Sequence, residues 1–452
     1  MKHNEKEETA MQSETKKAGP GMTVTACLWL GLFPLLQFGS FHTITRDKWI
    51  CMFILAALTA AGFLVDLRMR RVSRPRLLPL LLGAGLLLWT VLSCLLSPYP
   101  GAPWWIGTGR REGLASQLCY LGLFFLFSFS RVRRRPVLIS AGCGILVFLA
   151  VVLLQRAGGT PFGLYPDGYS YEGAPQFQGT IGNVDLCSGY LVIVCGLFLS
   201  ALVRTLRSLF RRPASAQDDS KPGAGHAVLR AVLRLVFLLL ALSVSVWLLF
   251  AFEVDSGLLA LAVLLLWTLV RLVPKRYRLP ALILLLALML TVVWFWPGQT
   301  GPVWELHEIL HGRPQGSFGS GRVGIWVRTA AMLAEEGRLW TGTGADTFAA
   351  RFSDYLFRYE LSHPDGEFLA DYFDTPHNEY LAMVVNCGIP ALLCFLALIL
   401  AGCFGTSAWR DGVLGYAVQA CLSFSICLVA PMFWVVLGLS LAGPPAENSG
   451  DT

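Results

Sequence analysis

The sequence predicts an all-α fold: a polytopic helical membrane protein with about eleven transmembrane helices, twelve if the last apolar run crosses twice, and one long extracytoplasmic loop. Composition is the first reason. Of 452 residues, 55% are hydrophobic and only 14% charged, and the mean hydropathy is +0.58. A soluble chain carries roughly 25% charged residues, so this one has too little polar surface to cover a soluble body of its size. The second reason is a succession of apolar runs of about 17–25 residues, each long enough to cross a bilayer. The third is the alternation of basic and base-poor loops between those runs.

Residues 1–21 form a polar tail that mixes Lys and Glu. No cleavable signal pattern precedes the first apolar run, so that run is expected to remain as a span. Spans are expected near 22–38, 49–66, 77–97, 114–130, 136–155, 184–203, 231–252, 257–273, 280–297, 379–403 and 413–441. Nine of them fill residues 22–297, a loop region occupies 298–378, and the C-terminal spans fall within 379–452. The last run contains Pro431, which would allow two short crossings.

With the tail cytoplasmic, the inner loops are Leu67–Arg76 with five arginines, Arg131–Arg135 with four, Arg204–Arg230, Arg271–Arg278 with four basic residues, and the short loop with Arg410. The outer ones are Gly39–Lys48, Ser97–Gly113, Arg156–Gly182, Glu253–Ser256 and Gly298–Asn378. Basic residues thus collect on one side, as the positive-inside rule expects. That accounts for the net charge of +7 without a nucleic-acid partner. It also puts the polar stretch from Gly316 to Gly388 on the outer face. No ATP or nucleotide-sugar pool exists there, so a reaction on that face uses a substrate activated beforehand.

The 12 cysteines lie in or beside apolar runs, and Gly298–Pro376 has none. This argues against a disulfide-stapled outer domain and a cysteine-ligated metal; small buried side chains are the expected role. Pro213–Gly225 reads as a flexible linker. In the long loop, Pro302 starts a short helix that ends at Gly312. Gly321 and Arg322 open a second, through about Glu336 and stopped by Gly337, with Val323, Trp326, Val327, Ala330 and Ala331 at helical spacing. Asp346 is placed to cap a third, TFAARFSDYLFRYE. Amphipathic, aromatic helices tethered between spans are expected at the membrane interface.

Arg322 stands at a helix start after a Gly-Ser-Gly turn. Helix N-terminal N–H groups favour an anion, and a guanidinium adds two-point recognition of phosphate; the alternative is an arginine snorkelling to lipid headgroups. His377 precedes the tenth span behind the stiffening Pro376, where it could take a proton from a hydroxyl or be a bystander at the interface. Asn378 can cap that span. Arg110 and Arg111 are basic residues on a base-poor face, explained by an anionic ligand or by an ion pair with Glu112. His307-Glu308-Ile309-Leu310-His311 fits the HExxH zinc-protease pattern, but the helix is short and the third ligand undefined, with Glu360 and His363 the candidates. A chance match is the preferred reading. Glu253 and Asp255 sit in a tiny turn, where acidic residues are ordinary.

Taken together, Gly319-Ser320-Gly321-Arg322 with Trp326, Trp340-Thr341-Gly342-Thr343-Gly344 with Phe348, His377-Asn378 with Tyr380-Leu381, Gly388-Ile389, and the upstream Gly179-Thr180-Ile181-Gly182-Asn183 resemble the O-antigen ligase and polymerase superfamily. These are polytopic enzymes of bacterial surface-polysaccharide assembly. The resemblance implies a glycan donor carried on a lipid diphosphate of undecaprenyl type, passed to a hydroxyl of a glycan or other acceptor without nucleotide, metal or other cofactor. It implies that Arg322 grips the diphosphate and His377 orients or deprotonates the acceptor. Arg110, Arg111, Arg328 and Asn378 complete the expected substrate-binding set, with membrane lipid as the surrounding partner. One departure stands out. Where the family's ligases often carry Ser-Arg-Gly, this chain has Asp255-Ser256-Gly257, so a second diphosphate arginine has to come from elsewhere, such as Arg110 or Arg111.

Two other functions compete. A transporter of lipid-linked glycan would bind the same diphosphate but needs no base, and would depend on charged or broken-helix residues at mid-span. A zinc protease would use His307 and His311.

Overall fold

The computed structural model describes residues 18–99, 101, 104–107, 109–210, 224–362, 373–405 and 407–443. Most of the polar tail and of the Pro213–Gly225 linker, His363, and the side chain of Glu360 lie outside the described residues. The regular structure of the described chain is helical except for one two-residue hairpin and an isolated bridge between Val72 and Ser130. The helices are α1 (Pro20–Cys27), α2 (Ile44–Arg68), α3 (Leu77–Leu95), α4 (Leu114–Ser128) and α5 (Arg134–Arg156). After strands β1 (Phe177–Gln178) and β2 (Gly182–Asn183) come α6 (Val184–Phe210), α7 (Ala224–Phe252), α8 (Asp255–Leu272) and α9 (Arg278–Trp294). The long loop holds α10 (Pro302–Leu310), α11 (Arg322–Glu336) and α12 (Phe348–Ser362). The chain then runs through α13 (Glu379–Cys387), α14 (Ile389–Phe404), α15 (Arg410–Gln419) and α16 (Ala430–Leu441).

Among the described residues, seven helices are long and apolar enough to cross a membrane: α2, α3, α5, α6, α7, α8 and α9. Shorter apolar helices cover 20–35, 114–128, 389–404 and 430–441. The protein is therefore a multi-pass helical membrane protein. α6 is its centre, almost wholly buried among α7, α8 and α15, and its residues from Leu186 to Ala201 dominate the main core.

Polar contacts close the helix ends. The Asp66 carboxylate accepts from the N–H groups of Gly21 and Met22 at 2.9 and 2.8 Å, capping α1 where the helix dipole is positive. α1 continues through a π turn and a 3-10 turn to Leu35, with Pro34 in the last. The exposed carbonyls of that break do not go unsatisfied: buried Lys48 donates to Phe33 and Pro34 at 2.9 and 2.8 Å, and Thr180 donates to Pro34 at 2.7 Å. Lys48 is thus a cap on a helix end, not a mid-span charge.

The loops sort onto two faces. On one, Gly19 bonds Arg131, Ser73 bonds Phe129, Gly443 packs against Arg74, Arg207 bonds the Arg271 carbonyl and Arg271 pairs with Asp411. The described arginine-rich loops meet there. On the other, Phe41 bonds Leu164, Asp346 bonds residues 109–112, and Glu379 bonds Ala420.

Two expected spans are broken. Residues 379–403 divide at Gly388, whose φ is +85° and where a Cβ would lie 2.1 Å from the Trp340 carbonyl oxygen. The break is tied down by Ile389 N–H to Leu339 and by the N–H groups of Thr343 and Gly344 to Asn386. Residues 413–441 are two helices of opposite direction. α15 rises from Asp411 on the arginine-rich face to Ala420 at Glu379, and α16 returns from Ala430 to Gly443 at Arg74. They are about 15 and 18 Å long, so the 420–429 turn between them sits sunk within the helix ends.

The long-loop helices fall where the sequence puts them, but their aromatic faces do not. Phe348, Phe352 and Tyr355 of α12 are almost fully buried against Ile325, Met332 and Leu333 of α11 and Val385 of α13. The interfacial placement expected from amphipathicity is corrected to a separate small protein core, which makes the loop a folded cap.

Candidate active site

The cap, the β1–β2 hairpin and the sunken 420–429 turn converge on His377. Trp326 of α11 donates its indole N–H to the Pro376 carbonyl at 2.8 Å, and Asn378 caps α13 by accepting from Leu381 N–H at 2.9 Å. Pinned from both sides, His377 adopts a left-handed φ of +51°. Its ring meets Phe424 edge-on at 5.0 Å. Nδ1 lies 3.2 Å from the Thr375 carbonyl. A carbonyl only accepts, so Nδ1 carries the proton and Nε2 is the open acceptor of the neutral ring. Burial, and then the Arg322 guanidinium, hold the imidazole below the ordinary histidine range, with Asp185 opposing and Arg110 adding to the depression.

Arg322 begins α11. Its Nη1 donates to Gly319 at 2.7 Å, and its Nη2 is 3.5 Å from Asp185, while Nε is buried with no acceptor. Asp185 reaches this corner because Gly179–Asn183 forms the hairpin that starts α6: Phe177 pairs with Asn183, and the Asn183 side chain accepts from Asp185 N–H at 2.8 Å.

Arg110 supplies the second cation. It stacks over Phe424 at 4.3 Å, on the ring that also touches His377, and its Nε pairs with Asp374 at 2.5 Å. The counter-ion anticipated for it, Glu112, is engaged elsewhere, accepting from Tyr120 Oη at 2.8 Å and Cys427 N–H at 2.7 Å. Burial pushes the Glu112 carboxyl well above its usual range. Arg111 turns away to Trp49, 5.8 Å from that ring. Arg328 also turns away, over Tyr359 of α12 at 4.1 Å. Of the six residues expected to form the site, the structure gathers His377, Arg322 and Arg110. It uses Asn378 as a cap and sends Arg111 and Arg328 elsewhere.

Asp346 stands just ahead of α12. Its carboxylate turns to the 109–112 loop and accepts from the N–H groups of Gly109, Arg110 and Glu112 at 3.1, 3.0 and 3.2 Å. Burial pushes this carboxyl up to about 6 against those three donors, which pull it down. A cavity of about 90 Å³ lies beside it, lined by Arg110, Glu112, Asp346, Asp374 and Glu379 among others; His377 and Arg322 are not in its wall. At position 257, a side chain has no room: a Cβ would lie 2.8 Å from Ser188 and 2.9 Å from Leu249. Packing there is incompatible with an arginine, consistent with the second cation arriving from the 109–112 loop.

On α10 the His307 and His311 rings lie 4.1 Å apart, tilted by 37°. Their Nδ1 atoms meet the carbonyls of Val293 and His307, and Glu308 pairs with Arg313. Among the described residues no group of three His, Cys, Asp or Glu is placed to hold a metal.

Sequence reasoning missed Asp185, Asp374 and Phe424. The first two act through long-range pairing, which leaves no local pattern. Phe424 had a signal: Ser423 and Ser425 flank it inside an apolar run, ahead of Pro431.

The chain is a helical membrane protein that gathers two arginines and a histidine on the face away from its described basic loops. Residues 236–396 match the O-antigen ligase family, which supports the resemblance read from the motifs. The matched region runs from α7 through the cap into α14 and includes Arg322 and His377. No curated protein is detectably similar to the chain.

Proposed function

We propose that the protein transfers or polymerises a glycan carried on a lipid diphosphate, passing it to an acceptor hydroxyl at the outer face of the cytoplasmic membrane. The observation that carries this reading is the pairing of a neutral, Nε2-open His377 with two arginines that are only partly occupied by protein carboxylates. Arg322 holds Asp185 loosely, at 3.5 Å, and has an unfilled Nε. A diphosphate offers stronger, two-point acceptors to such a guanidinium. Arg110, on the other side of Phe424, is placed to share the charge.

In this scheme the acceptor hydroxyl gives its proton to His377 Nε2 as its oxygen bonds to the anomeric carbon. The bond from that carbon to the phosphate oxygen breaks, and its electron pair leaves with the lipid diphosphate. The leaving group gains negative charge in the transition state, where Arg322 and Arg110 interact most strongly. The donor's own leaving group supplies the driving force, so no nucleotide enters. The separation of basic loops from the site supports an extracytoplasmic location.

The test is reconstitution of the purified protein in vesicles with a lipid-diphosphate-linked glycan and an acceptor, with chelator and without nucleotide. Glycan should appear on the acceptor, with release of lipid diphosphate. Movement of donor across the bilayer without transfer would instead identify a transporter.

A further inference from the structure

On the arginine-rich face, away from His377, α9 leaves the bundle beside the ends of α8 and α14 and the start of α15. We propose that the recess between these four helices holds the phosphate headgroup of an anionic glycerophospholipid. The recess has a volume of about 330 Å³ and is lined by Arg271, Arg278 and Arg410, with no carboxylate in its wall among the described residues.

Behind the wall stands Asp411. Both its oxygens bond Arg271, at 2.9 and 2.7 Å, and one lies 3.6 Å from Arg410 Nε. Arg410 also donates to the Gly405 carbonyl at 2.8 Å, and Arg278 donates to the carbonyls of Val273 and Arg271, at 3.1 Å each. Carbonyls fix these guanidiniums without neutralising them, so three cations share one anion. Burial and the neighbouring Arg271 hold Arg410 below the ordinary arginine range; Asp411 opposes this, and Arg278 and Arg207 add to it. The guanidiniums therefore crowd one another. A phosphate among them relieves that repulsion and offers each a two-point partner. Two donors of the wall residues, Arg271 Nε and Trp267 Nε1, are buried with no acceptor among the described residues.

The apolar half of the recess identifies the occupant. Trp267, Leu279, Leu282 and Phe404 wall it, and Leu279 and Phe404 are 65% and 69% exposed. No residue of α9 is buried against the described protein. The recess thus continues into the surface of an apolar helix that stands off from the bundle, where an acyl chain can lie while its phosphate stays among the arginines. A lipid satisfies both halves; a soluble phosphate or an acidic peptide satisfies only the charged one.

The test uses the full chain in nanodiscs of mixed phosphatidylglycerol and phosphatidylcholine, released into native mass spectrometry to count retained lipid. Arg278→Gln with Arg410→Gln is the informative variant: glutamine keeps a donor for the carbonyls these side chains meet, and the Arg271–Asp411 pair stays intact. The wild type should retain phosphatidylglycerol in preference to phosphatidylcholine. Each arginine removed should weaken retention about fivefold, roughly 25-fold for the pair. Arg276→Gln is the control, since Arg276 is exposed nearby and does not line the recess; it should stay within about twofold of wild type. Unfolding temperatures in pure phosphatidylcholine should agree for all of these proteins, which shows that the variants are folded. Equal retention by the double variant and wild type, or no preference in the wild type, overturns the proposal. So does a loss in Arg276→Gln as large as in Arg278→Gln, which would mean diffuse attraction to the whole face. Displacement of the lipid by inorganic phosphate or by polyglutamate at matched charge also overturns it, and would assign the recess to a soluble anion.

Discussion

Asp346 and Arg322 are both charged groups in the cap, and they are held in opposite ways. Asp346 accepts three backbone N–H groups and fixes the 109–112 loop against the cap. All three bonds go to one oxygen, Oδ2. Arg322 has one firm bond to Gly319, one loose contact to Asp185, and a nitrogen with nothing to bind. The difference separates scaffold from site. A buried polar group whose partners are complete stabilises the fold. One left short is costly to the free protein and has capacity for a ligand.

The sharpest way to break this comparison is at His377. His377→Ala should lower transfer by roughly 10²–10⁴-fold, the usual range for a lost general base. Donor binding should change little, because the proposed partner of His377 is the acceptor. Full transfer by the variant would make the ring a packing element against Phe424. The rate should also fall on acidification, since a protonated ring has no open acceptor. That fall should lie below the usual histidine range, because burial and Arg322 disfavour the charged ring.

Arg322→Ala comes next, with a loss of roughly 10²–10³-fold in kcat/KM and weaker donor binding. Arg322→Lys should recover only part of this, since lysine keeps the charge but not the planar fork. Lysine matching the wild type would mean that the corner needs only a point charge.

Much of this frame could be read from residue order. The cap helices follow their punctuation: Pro302 opens α10, and Gly321 and Gly337 bound α11; but the face α11 buries is Ile325, Thr329, Met332 and Leu333, not the Val323, Trp326, Val327, Ala330 and Ala331 set read from spacing. Loop charge alone sorted the two faces. What could not be read were partners distant in sequence. Asp185 meets Arg322 across the hairpin, and Asp374 meets Arg110 across the cap. Hydropathy also could not find the 420–429 turn, because Phe424, Ile426 and Leu428 are apolar whether they cross a bilayer or line the floor of a site. Nor could amphipathicity tell a lipid surface from a small core as the destination of Phe348 and Phe352.

Asp346 tests the scaffold half. Asp346→Ala should destabilise the protein by roughly 1–3 kcal/mol for each of the N–H groups that finds no water, seen as a lower unfolding temperature in detergent. Asp346→Asn keeps an acceptor and removes the charge. A carboxyl raised to about 6 in the fold, from 3.8, stabilises the fold below 3.8, and that contribution is lost as pH rises through 6. The asparagine variant should therefore gain stability relative to wild type at pH 8, and the gain should shrink by pH 5. A gain that grows on acidification would show that the carboxylate is the favoured form and that its three donors outweigh burial.

The smallest effect is expected at Arg328, and it tests the comparison most selectively. Arg322 and Arg328 share α11, the same charge and the same fork, yet only one borders His377. Arg328 lies over the Tyr359 ring at 4.1 Å, a contact that belongs to the α11–α12 packing. Such cation–π contacts contribute about 0.5–1 kcal/mol at accessible sites. Arg328→Ala should lower the unfolding temperature slightly and leave transfer within about twofold of wild type, as a substitution away from the reacting atoms does. Arg328→Gln, which keeps most of the stem over the ring, should restore part of the stability. If Arg328→Ala instead weakens donor binding as Arg322→Ala does, with the unfolding temperature unchanged, the substrate reaches across α11 to its α12 side. The line drawn here between a ligand-facing corner and a packed scaffold would then run through the wrong part of the cap.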